Sequence, residues 1–146
     1  MFAVRQDLLA TFHRMFANEA FAQLHYVVIE TTGLADPAPL IQSFYMDAEC
    51  QARMRLDGVL AVADAKHFAE HVARSRSDGG QQGGAHGGVS EAIKQVAYAD
   101  RVLLNKTDLV SAHELDSVAR SIQEINRSAV VFRAQYGRVD VAQLLN

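Results

Sequence analysis

The residues with the most specific chemistry in this chain are Asn105-Lys106-Thr107-Asp108. A carboxylate at Asp108 can accept from both the N1–H and the exocyclic amino group of guanine, a two-point match that adenine cannot return. Beside it the Lys106 stem can lie along a base, and the Asn105 amide can tie neighbouring loops together. The tetrapeptide follows directly on an apolar run ending at Leu104, and in open parallel sheets ligands are met beyond the carboxyl ends of the strands. A plainer reading is a strand end and a turn, with Asp108 or Ser111 capping the next helix. Glu30-Thr31-Thr32-Gly33 closes a second apolar run in the same way. In phosphate-binding α/β proteins an acidic residue at this place orients magnesium or an attacking water. A glycine N–H there can approach the terminal phosphate, because no side chain stands in the way. Here too the alternative is a strand-ending turn, with Asp36 as a helix cap.

His67-Phe68-Ala69-Glu70-His71 has the H-x-x-E-H spacing of one class of zinc peptidases, in which two histidines one turn apart hold the metal and the glutamate is the base. A milder version groups His67, His71 and His86 as an adventitious or transfer site for a metal ion, since positions i and i+4 share one helix face. The motif sits between an apolar strand and a glycine-rich stretch, on what reads as a short exposed helix. Solvated histidines are the ordinary outcome in such a place. The single cysteine, Cys50, has no partner for an internal disulfide; it reads as a buried, inert thiol in a reducing compartment, the cytosol or an organelle matrix.

Four runs have the continuous apolar, β-branched character of strands buried on both faces: Tyr26 to Glu30, Gly58 to Asp64, Arg101 to Asn105 and Ala129 to Arg133. Between them the periodicity predicts helices over Leu8 to Phe21, Ser90 to Ala99 and Ser111 to Ile125. Asp36-Pro37 supplies a cap and a first-turn proline for another helix running toward Asp47. Alternating strands and helices define an α/β class with a parallel sheet. The segment from Ser77 to Gly88 holds six of the nine glycines and reads as a flexible surface loop within one domain spanning residues 1–146. It lacks the Lys-Ser/Thr that a phosphate-cradling loop requires.

Composition narrows the choice of partner. Hydrophobic residues make up 49% of the 146 residues and charged residues 21%, ordinary values for a folded domain. A formal net charge of -3 with no basic run leaves no electrostatic footprint for nucleic acid or an anionic membrane. No stretch has the ~18 unbroken apolar residues of a membrane span, and no leader pattern opens the chain.

The string from Tyr26 through Glu30-Thr31-Thr32-Gly33 to Asp36-Pro37-Ala38-Pro39 resembles the signature of the CobW family of GTPases, which includes cobalamin-synthesis and zinc-transfer proteins. Leu56-Asp57-Gly58-Val59, Val62-Ala63-Asp64-Ala65, Gln95 to Arg101 and Asn105-Lys106-Thr107-Asp108 follow in the family's order. The resemblance implies a three-layer, Rossmann-like P-loop NTPase fold, GTP hydrolysis with magnesium, and delivery of a metal, zinc or cobalt, to a client protein. It places Glu30 and Gly33 on the γ-phosphate side and Asn105, Lys106 and Asp108 at the base. Ala134, within Arg133 to Tyr136, falls at the guanine's other edge.

Two family features have no counterpart here. Nothing of the form G-x-x-x-x-G-K-[ST] occurs. Met1 and Phe2 stand where the last two cysteines of a C-x-C-C metal motif are expected. The family's smaller C-terminal domain does not follow Asn146 either. The expectation is therefore a partial domain without the strand that carries the phosphate loop, with an apolar slot left in its sheet and no turnover by this chain alone. A non-catalytic interaction module that keeps the GTPase fold is the alternative.

Overall fold

The computed structural model describes residues 2–33, 36–78 and 91–145, with side chains for 7–33, 36–73 and 91–145. The chain divides into two compact units, Met1–Leu56 and Asp57–Asn146.

The first unit is built on helix α1, Phe2–Phe16. Its apolar stripe buries Phe12 and Phe16 with Cys50, and Leu8, Leu9, Met15, Phe21, Phe44 and Met54 pack around them. Phe16 meets Phe21 edge to face, with ring centroids 5.0 Å apart. The helix ends before the predicted Phe21, because the Asn18 side chain accepts from the Ala20 N–H and opens a 3-10 turn at Glu19–Gln23. Short polar side chains compete with helix continuation in this way. Helix α2, Ala38–Met46, starts as the sequence predicts, with the Asp36 carboxylate accepting from the Ala38 N–H at 2.9 Å. At Asp47 the backbone turns extended, and the Asp47 carboxylate caps a new helix, α3, Ala48–Arg53, by accepting from Cys50 N–H at 2.8 Å.

Tyr26 to Glu30 is not a strand. The backbone carries no ladder, and the side chains lie exposed, Val28 at 87%. β-branched composition favours extended backbone, but a strand exists only where a neighbour accepts and donates its hydrogen bonds. Among the described residues this run joins no sheet ladder.

The second unit is a three-stranded parallel sheet of β1, Leu60–Asp64, β2, Arg101–Asn105, and β3, Val130–Arg133, in the order β1-β2-β3. Helices α4, Phe68–Asp78, and α5, Glu91–Tyr98, lie between the first two strands in sequence, and α6, Ala112–Ile125, between the last two. Both crossovers step the same way along the sheet, so right-handed connections place their helices on one face. That face is the core: Ala61, Ala63, Val102 and Leu104 pack against Phe68, Val72, Val96, Val118 and Ile122. The central strand is buried on both faces as expected, with Val102, Leu103 and Leu104 all enclosed. Strand β1 instead alternates, leaving Leu60 and Val62 exposed. Of the glycine-rich stretch, Ser77 and Asp78 finish α4, while Gly79 to Gly88 lie outside the described residues.

One side chain joins the layers. Asn126 donates from Nδ2 to the carbonyls of Val96 and Ala99, and its Oδ1 accepts from the N–H groups of Ser128 and Ala129. The end of α5 and the entry to β3 are thereby held by one amide.

Candidate functional site

The carboxyl ends of all three strands in the second unit converge on hydrogen-bonded loops. The Ala65 N–H donates to the Asn105 carbonyl, and the Ala134 N–H donates to the Leu104 carbonyl, so the ladders run one step past the strands. Beyond them the Thr107 N–H and hydroxyl both donate to the Ala134 carbonyl, at 3.2 and 3.0 Å. The Asn105 Oδ1 accepts from the Gly137 N–H at 2.9 Å. The loop after β2 and the loop after β3 are thus clamped together at two places. Left-handed backbone at Tyr136, φ 54°, and Gly137, φ 69°, turns the second loop sharply enough for that N–H to reach Asn105.

An open cleft of about 420 Å³ lies between these loops, lined by Thr107, Arg133, Ala134, Gln135, Tyr136 and Arg138. Tyr136 is 80% exposed on its rim. Asp108 occupies the 3-10 turn Thr107–Leu109, next to the cleft-lining Thr107, and is exposed. Among the described residues no hydrogen bond or ion pair engages its carboxylate. The following helix is capped by Ser111, not Asp108: the Ser111 side chain accepts from Glu114 N–H, and the Glu114 carboxylate accepts from Ser111 N–H in return. That exchange holds the Glu114 carboxyl below its ordinary range, first through the Ser111 side chain and then through its backbone.

Lys106 is left-handed, with φ 61°, an uncommon conformation for a residue with a Cβ. Its ammonium lies 2.8 Å from Asp64 Oδ2. Asp64, at the end of β1, also has His67 Nδ1 at 3.1 Å and accepts from the N–H groups of Lys66 and His67. Burial alone pushes the Asp64 carboxyl up, but Lys106, His67 and the two N–H groups outweigh it and hold it well below the carboxylate range. Asp64 is the residue that motif reading missed as a site residue. The signal was present, because it too is an acid ending an apolar run.

His67 precedes α4 and His71 lies in it, both exposed. His67 is oriented by Asp64, and among the described residues neither histidine belongs to a group of three metal-ligating side chains. His86 lies outside the described residues. In the first unit Glu30 and Gly33 follow the exposed extended run.

The parallel sheet, its crossovers and a loop cluster at its carboxyl edge define a P-loop NTPase type of α/β fold. Residues 2–133 match the family described as CobW/HypB/UreG, nucleotide-binding domain, and the chain belongs to it. It is 36% identical over 121 residues to the zinc-regulated GTPase metalloprotein activator 1 of Schizosaccharomyces pombe, covering 82% of this chain and 26% of that protein. It is 36% identical over 124 residues to the zinc chaperone YjiA of Escherichia coli, covering 85% of this chain and 34% of the relative. The crystal structure of Zn(II)-bound YjiA GTPase from E. coli superposes with a TM-score of 0.66 at 33% identity, over 97% of this chain and 38% of that one. The chain therefore spans roughly a quarter to two fifths of the length of these relatives. Among the described residues no helix is long and apolar enough to cross a membrane.

Proposed function

We propose that the second unit recognises the guanine of GTP at the carboxyl edge of its sheet, as the base-reading part of a GTP-dependent zinc chaperone acting in the cytosol or an organelle matrix. The observation that carries this reading is the Asp108 carboxylate, without a hydrogen-bond or ion-pair partner among the described residues, on a loop clamped through Asn105 and Thr107 to the cleft-lining turn. In this reading Asp108 accepts from the base, Lys106 lies along it, Asn105 holds the two loops in register, and Ala134 forms the far wall. The names of the relatives support zinc as cargo and a metal-receiving client protein as partner. The two units together form one nucleotide-binding domain.

The residues present fit a base better than a triphosphate. Bound magnesium would neutralise the β- and γ-phosphates, but the sequence holds no Gly-Lys-Ser/Thr loop to cradle them. Glu30 and Gly33 are assigned to the γ-phosphate side, where Glu30 would orient a water and Gly33 would offer an N–H. With base contacts alone, two charge-assisted hydrogen bonds of ~1.5–3 kcal/mol each correspond to a dissociation constant no tighter than about tens of micromolar. Isothermal titration of the chain with GTP and ATP tests this. The expected result is weak binding that prefers GTP and loses the preference in Asp108→Ala. Equal affinity for both nucleotides in the unaltered chain rejects the assignment. Phosphate release should stay at background for this 146-residue chain. Steady turnover that disappears in Asp108→Ala would show a phosphate site outside the residues named here.

A further inference from the structure

Among the described residues one group of three metal-ligating side chains has atoms within 4.8 Å of one another: His13, Asp47 and Cys50. All three belong to the first unit, remote in sequence from the nucleotide motifs of the second. We infer that His13 Nε2, Asp47 Oδ2 and Cys50 Sγ form a binding site for a zinc ion, with the fourth coordination position open to water or an exchanging ligand.

The donor set is the first ground. Thiolate, imidazole and carboxylate together match zinc, and three protein ligands with one open position is the arrangement of zinc sites that keep a place for water or another ligand, in contrast to closed structural ones. Their mounting is the second. His13 stands near the end of α1, Asp47 occupies the break between α2 and α3, and Cys50 lies in the first turn of α3. Asp47 Oδ1 accepts from Cys50 N–H at 2.8 Å, which leaves Oδ2 directed at His13 Nε2, 3.1 Å away. One oxygen thus orients the carboxylate while the other faces the imidazole, placed to share an ion with it, the division of labour seen around metal-bound carboxylates. Access is the third. Cys50 is fully buried, but the His13 and Asp47 side chains keep 47% and 17% of their surface, so an ion can enter past the imidazole. Glu49 Oε2 lies 3.9 Å from His13 Nε2 and pairs with Arg53, which places a further carboxylate at the mouth. With a neutral imidazole, zinc binding releases one proton, that of the thiol, and leaves the ring proton on Nδ1.

Without an ion the same contacts form a small hydrogen-bonded core motif, and cobalt titration separates the two. The chain has one cysteine, so any thiolate-to-cobalt charge-transfer absorption arises from Cys50. The full chain should develop this band with one cobalt per chain and lose it when one equivalent of zinc is added. Cys50→Ser should abolish it. His13→Ala and Asp47→Asn, which leave the buried side chain in place, should each weaken cobalt binding by more than the ~10–100-fold typical of changes to supporting residues. Three results would overturn the inference. One is no band in the full chain. Another is a band unchanged in His13→Ala, and the third is a band that forms only as two chains associate in sedimentation analysis. His13→Gln, at an exposed position, serves as the second variant should Cys50→Ser fail to fold.

Discussion

Asn105 to Asp108 and Glu30 to Gly33 share one grammar, an apolar β-branched run followed by polar residues and a turn, yet their surroundings differ. The first sits on a strand hydrogen-bonded along both edges, and its side chains are fixed by Gly137, Ala134 and Asp64. The second follows a run with no ladder and with exposed apolar side chains. A motif supplies functional groups, whereas positional precision comes from the neighbours that hold its backbone. Composition is blind to whether those neighbours are present.

The largest expected effect tests that contrast through stability. Leu104→Ala, at a fully buried position in β2, should cost ~2–5 kcal/mol by chemical denaturation. Val28→Ala, in the exposed run, should stay within ~0.5 kcal/mol. A comparable loss at Val28 would mean that Tyr26 to Ile29 pairs as a strand after all. Next comes ligand discrimination, where Asp108→Ala should reduce the preference for GTP over ATP by ~1.5–3 kcal/mol in titration calorimetry. Glu30→Gln should leave that preference alone, since it is assigned away from the base. A smaller effect concerns the helix that follows the base-side loop. Ser111→Ala breaks the reciprocal cap of α6 and should cost ~0.5–2 kcal/mol in thermal or urea unfolding, with the helix start fraying in hydrogen exchange.

The smallest effect is electrostatic. The Asp64 carboxyl titrates below its unfolded value of ~3.9, so it stabilises the fold above that pH, and the contribution fades as pH falls below it. Lys106 and His67 are half exposed, at 51% and 49%, so solvent screening keeps the contribution to ~1 kcal/mol or less. Urea midpoints measured between about pH 5 and about pH 2 should fall less steeply for Asp64→Asn than for the unaltered chain. Equal slopes would remove Asp64 from the ordered region and narrow the difference between the two motifs.

Much of the second unit was legible because its signals are local. The run Arg101 to Asn105 is the strand β2 residue for residue, and Ser111 caps its helix through a partner three positions away. The same local rules over-read Tyr26 to Glu30, whose extended propensity is not taken up in a sheet ladder among the described residues. They ended α2 correctly at Asp47 but gave no sign of α3, which the Asp47 carboxylate starts by capping Cys50. They also passed over Asp64, whose role depends on Lys106 forty-two residues away. The meeting of His13 with Asp47 is likewise a tertiary event, thirty-four residues apart, and no spacing rule reaches that far.

If Lys106 lies along the base as proposed, its left-handed backbone makes that position a point of conflict between backbone relaxation and recognition. Glycine would adopt φ 61° without the Cβ penalty, so replacing the lysine relaxes the backbone while removing the ammonium that meets Asp64. On the proposed role of Lys106 at the base, selection for a relaxed backbone and selection for nucleotide recognition pull this one site in opposite directions. A library enriched only for thermal resistance should drift toward glycine at 106, and a library enriched on immobilised guanine nucleotide should keep the lysine.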